Sequence, residues 1–114
     1  MKLTNLTSHP LRLFTPHGVL EVQPSGQLAR VFTHSTPIGE VAGMAVVRPT
    51  FGEITGLPDP EPKTVFVVSQ IVLTALRAAG ITRADVVAPD TTPVGGAIRD
   101  AAGRVQGVTR LLGM

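Results

Sequence analysis

The order of apolar and polar residues divides the chain into short stretches, most with the two-residue period of strands and one with helical spacing. Residues 64–68, Thr64-Val65-Phe66-Val67-Val68, carry four apolar side chains in a row, which indicates a strand covered on both faces. Directly afterwards Ile71, Val72, Ala75, Leu76 and Ala79 recur at helical spacing and predict a helix over 69–79. Ser69 stands where a capping residue belongs, and Gly80 where a helix ends. This strand and helix are expected to form the middle of the domain.

Before them the pattern predicts strands and turns. A short strand over 2–6 precedes a hairpin of 11–14 and 19–22, with Pro16-His17-Gly18 as its turn. Pro24-Ser25-Gly26 has the residues of a tight turn, and 27–32 then reads as a strand with Leu28 and Arg30 on one face, Ala29 and Val31 on the other. The polar stretch 33–39 reads as a loop. Residues 41–47, interrupted at Ala42-Gly43, read as two short strands around a turn, and 51–54 as a further short strand. Three prolines in 56–62 exclude a helix there and predict a stiff, exposed connection. Downstream, 82–85 reads as one helical turn capped by Thr82, 86–88 as a strand, 89–96 as a loop, and 97–100 with 104–111 as a closing hairpin. The expected fold class is α+β: one β-rich small domain over 1–114, made of short strands and hairpins with one principal helix.

Composition adds to this picture in three ways. The mean hydropathy of +0.28 is high for 114 residues, since so short a chain has much surface for its volume. Some apolar surface is therefore expected to be shared with a second copy, and a homo-oligomer is predicted. No apolar run approaches the roughly 20 residues that span a bilayer, and the first residues lack the apolar stretch of a signal peptide, so a cytoplasmic protein without membrane contact is expected. The absence of cysteine removes disulfides, thiolate nucleophiles, zinc–thiolate sites and iron–sulfur clusters together. The pI of 9.9 accompanies a net charge of only +2, the arginines are spread singly, and Trp and Tyr are missing. Nucleic-acid binding is accordingly not expected.

Candidate chemistry is sparse. His9, His17 and His34 have neither a helical i, i+4 relation nor a carboxylate at metal-motif spacing, so no metal site and no cofactor are expected. His17 falls in a turn, where a solvated side chain is the plain account; His9 and His34 lie in loops and suit either that role or a general base. Ser69 begins a helix whose first amides point outward unpaired and favour an anion, although simple capping accounts for a serine there equally. Arg30 and Arg48 end or flank apolar stretches, where an arginine either holds a carboxylate or phosphate or lays its stem along a sheet edge. Asp90 and Asp100 sit in predicted turns and suit bonds to their own backbone. No nucleophile, base and acid set is readable, and no catalytic residue is assigned.

Taken in order, Asn5-Leu6-Thr7-Ser8-His9, Pro24-Ser25-Gly26, Ala29-Arg30-Val31, Phe51-Gly52-Glu53-Ile54-Thr55-Gly56-Leu57-Pro58, Val67-Val68-Ser69 and the tail from Arg99 to Gly107 resemble a family of short uncharacterised proteins of bacteriophages, prophages and actinobacterial genomes. The likeness covers most of the chain and departs at Ser8, where proline is usual, and in 91–96, which looks like an insertion. It implies a viral accessory setting rather than a mechanism. It also implies His9, Arg30, Glu53, Ser69, Asp90 and Arg99 as candidates for a shared ligand pocket.

The leading expectation is a non-catalytic binding protein, in a phage accessory or counter-defence setting, that captures a small phosphate-bearing, nucleotide-type anion with arginines and the Ser69 helix end. A structural or protein-interaction module is the alternative, favoured by an exposed apolar patch. A small enzyme pairing His9 or His34 with Asp90 is the third.

Overall fold

The computed structural model describes residues 1–92 and 96–114. Among them the chain forms ten strands and one helix, a β-rich α+β arrangement. Three sheets divide the strands. The first has β6 (Thr64–Val67) at its centre, with β1 (Lys2–Asn5) and β7 (Val86–Pro89) parallel on either side and β10 (Leu111–Leu112) antiparallel beyond β7. A buried central strand with helix on one face explains the near-continuous apolar run at 64–68.

Helix α1 (Gln70–Ala78) connects β6 to β7. Its start is capped by Ser69, whose hydroxyl accepts from the Val72 amide at 3.4 Å. Its end closes with the Ile81 amide donating to the Leu76 carbonyl and the Gly80 amide to that of Arg77, the paired bonds of a Schellman motif. Val72, Leu73, Ala75 and Leu76 form the buried stripe, and Ile71 lies 50% exposed. The stripe packs with Leu6, Ala29, Phe66, Val68, Val86 and Ala88 into the core.

The second sheet has the order β3-β2-β9-β8: β2 (Leu11–Thr15) pairs with β3 (Gly18–Val22) as the expected hairpin, and β8 (Ala97–Arg99) with β9 (Val105–Val108). A parallel contact of Leu13 with Val108 joins the two hairpins.

The third sheet is a two-stranded ribbon, β4 (Arg30–Val41) with β5 (Met44–Thr55), each of 12 residues. It overturns the local reading of 33–39 as a loop and of 51–54 as a separate short strand, whereas the reading of 41–47 as two strands around a turn at Ala42-Gly43 holds at the ribbon's tip. Thr33, Ser35 and Thr36 are polar because nothing covers them, and Pro37 and Pro49 are tolerated because both strands of a ribbon are edge strands. Ala42 and Gly43, both at positive φ of 52° and 80°, make the tight turn at the tip. Residues 27–29 precede the strand instead of belonging to it.

Residues 82–85 form no helical turn either. The Arg83 guanidinium donates from Nε and Nη2 to both oxygens of Asp85, at 3.0 and 2.7 Å, and from Nη1 to the Pro58 carbonyl at 2.9 Å. This fork ties the proline-rich connection to the entry of β7. The expected loop over 89–96 and the likeness's insertion over 91–96 fall partly on residues 93–95, outside the described residues. No helix among the described residues is long and apolar enough to cross a membrane.

Candidate functional site

Two places gather surface with chemistry, and the first is a cleft beside the start of α1. Asn5, at the end of β1, is 1% exposed and uses all its hydrogen-bonding groups: its amide donates to the carbonyls of His9 at 2.8 Å and Val22 at 3.1 Å, and its Oδ1 accepts from the amide and hydroxyl of Thr7. These bonds fold 7–9 into a fixed loop. Across from it, the Ala29 amide donates to the Leu6 carbonyl and anchors the residues that lead into β4. Between loop, anchor and helix lies an open cleft of about 270 Å³ lined by His9, Arg30 and Ser69 over a floor of Leu6 and Ala29. His9 and Arg30 are exposed and Ser69 half-buried.

The other three expected pocket residues lie elsewhere. Glu53 is exposed on β5, at the register shift between the pairs Val31–Ile54 and Thr33–Phe51. Arg99, exposed at the end of β8, donates from Nη1 to the Gly103 carbonyl at 2.9 Å and so closes its own turn. Asp90 is 2% exposed. Its Oδ1 accepts from the amide and hydroxyl of Thr92 and its Oδ2 from Arg110 Nε at 2.7 Å, bonds that hold its carboxyl below the usual carboxylate range. With bonds at both oxygens, Asp90 fixes the exit of β7. Asp100 likewise accepts from the amides of Ala102 and Arg104 across a turn. Comparison with family models, with curated proteins and with solved structures finds no match.

The second place is the β4–β5 ribbon. Opposed residues in an antiparallel ladder share a face, so Val31–Ile54, Thr33–Phe51, Ser35–Pro49 and Pro37–Val47 line one side. Val31 and Ile54 pack against the core, whereas Phe51 and Val47 further along are 42% and 46% exposed. Phe32, Ile38, Val41 and Met44 are more than half exposed, up to 72% at Met44 by the tip. Residues 33–50 contain just two charges at neutral pH, Glu40 and Arg48. Edge strands that face water permanently are normally protected by charge, and apart from Arg30 at its root and Glu53 at the bulge this ribbon has only those two. Asn5 and the length of the ribbon are the features of these two places that local reading of the sequence missed. An asparagine ahead of Thr7 at a strand end is a signal for a side-chain-closed turn, while the ribbon left no run of alternating residues long enough to reveal it.

Proposed function

We propose that this protein is a non-catalytic interaction module that docks to another protein through the β4–β5 ribbon. The observation that carries the reading is the apolar stripe that begins against the core at Val31 and Ile54, passes Phe51 beside α1 and continues outward to Val47, with Phe51 and Val47 42% and 46% exposed. A two-stranded ribbon by itself is marginally stable in water, and large exposed apolar patches mark interaction sites. The chain has no cysteine, so a Val47→Cys variant carries a single attachment point for a photoactivatable benzophenone. Irradiation in extracts of cells that express the protein is expected to give a covalent adduct from that position and none from Ala101→Cys, an exposed turn of the body. No adduct from position 47 defeats the reading.

A second reading is supported by the convergence of His9, Arg30 and Ser69 on one cleft: capture of a small phosphate-bearing anion, in the phage accessory or counter-defence setting that the resemblance implies. Helix amides compensate an anion's charge incompletely, and Arg30 would supply the rest. Arg30→Ala then weakens binding by about 1.5–3 kcal/mol, the range for a charge-assisted hydrogen bond. Calorimetric titration of linear and cyclic nucleotides into both proteins tests it, and absence of heat from every nucleotide with the wild type retires it.

A further inference from the structure

We infer that the apolar face of the β4–β5 ribbon is covered by a second copy of this chain, each ribbon lying on the body of the other copy. This rests on the interaction reading and names its partner. Area decides between a reciprocal and a one-sided contact. Val31 and Ile54 are already packed on the body, which leaves residues 33–41 of β4 and 44–51 of β5 projecting; these extend about 30 Å, and two strands side by side are about 10 Å wide, so the free part of one ribbon face covers about 300 Å². A ribbon laid on an unrelated protein removes that area from each partner, about 600 Å² in total, within the range of crystal-packing contacts. Reciprocal exchange between two copies makes the contact twice and reaches about 1,200 Å², the lower bound of a standard stable interface.

Charge and chemistry agree with that partner. Glu40 and Arg48 cancel over 33–50, so a strongly charged partner finds nothing complementary there. Pro37 and Pro49 have no N–H to offer a strand added at the ribbon's edges, which favours contact through the face. The body supplies the other half: Val19 and Ile98, which share the Phe14 face of the β3-β2-β9-β8 sheet, are 59% and 42% exposed. One chain therefore carries both a projecting apolar element and an apolar surface to receive it, the condition for a two-fold, self-complementary contact.

Sedimentation of the purified chain from micromolar to hundreds of micromolar tests the inference. The expected result is twice 11.9 kDa for the wild type and 11.9 kDa for Val47→Glu with its melting transition retained. A wild type at 11.9 kDa at every concentration overturns it, as does a dimer that a folded Val47→Glu leaves intact. Should Val47→Glu not fold, benzophenone on purified Val47→Cys takes its place. An adduct of two copies, mapped to the body of the second, is expected, and its absence overturns the inference. If the purified chain is monomeric while the same label in extract captures a different protein, the second copy is excluded and the interaction reading stands.

Discussion

Asp90 and Asn5 do their work through bonds that the identity of a residue does not announce. Asp90 is held ionised first by the Thr92 hydroxyl and then by Arg110, so its folded pKa lies below its unfolded value. The unfolded chain then binds the proton more readily. The resulting stabilisation is complete above the ordinary carboxylate pKa of about 3.9 and is lost as pH falls through the lower folded value. Asp85, lowered mainly by its hydrogen bonds from Arg83, adds to stability with the same sign. Thermal melts from neutral pH down to strong acid are expected to show the wild type losing stability below about pH 4. Asp90→Asn should melt lower at neutral pH and lose less on acidification. An acid limb identical in both proteins would remove Asp90 from that account. The sequence made Asp90 legible as a turn aspartate but gave no sign of Arg110, twenty residues on, because that pairing depends on β10 returning beside β7.

Among the elements, β6 and α1 were the most legible, since an uninterrupted apolar run and a helical repeat each persist long enough to be distinctive. Leu76 is 2% exposed within the core that these two elements make. Leu76→Ala is expected to destabilise the protein by about 2–5 kcal/mol in denaturant titration, and a neutral outcome would take the α1 face out of the core. The ribbon was illegible for the opposite reason: with no buried face along most of its length, selection for alternation is absent, and bulges at 31–33 and 37–39 break what period remains. Its root is nevertheless tightly defined. Gly56, which follows β5, has φ +80°, and a Cβ there would run into the Leu28 carbonyl oxygen, so the two ends of the ribbon meet in a space that admits no side chain. The candidate cleft was half legible: Ser69 announced a helix start, whereas the meeting of His9 with Arg30 required the fold of the Asn5 loop.

At the scale of the whole molecule, the radius of gyration of 16.4 Å exceeds the roughly 13 Å of a compact chain of this length, and the longest extent is 53 Å. The high mean hydropathy raises the expectation of shared apolar surface, but nothing in composition distinguishes a flat patch from a projecting arm. If a second copy covers the ribbon, mass action ties stability to concentration. The melting temperature of the wild type is then expected to rise from micromolar to hundreds of micromolar protein, while that of Val47→Glu stays constant; parallel behaviour of the two would separate the ribbon from assembly. The root of the ribbon joins the core and its tip turns on Ala42 and Gly43, so the rungs between them are a ladder whose length the body does not set. Adding two residues to each strand preserves which side faces inward and lengthens the reach by about 6.6 Å. Under the docking reading, the spacing between the two joined bodies could therefore be changed in even steps without redesigning the part that folds: the hairpin would serve as an adjustable ruler.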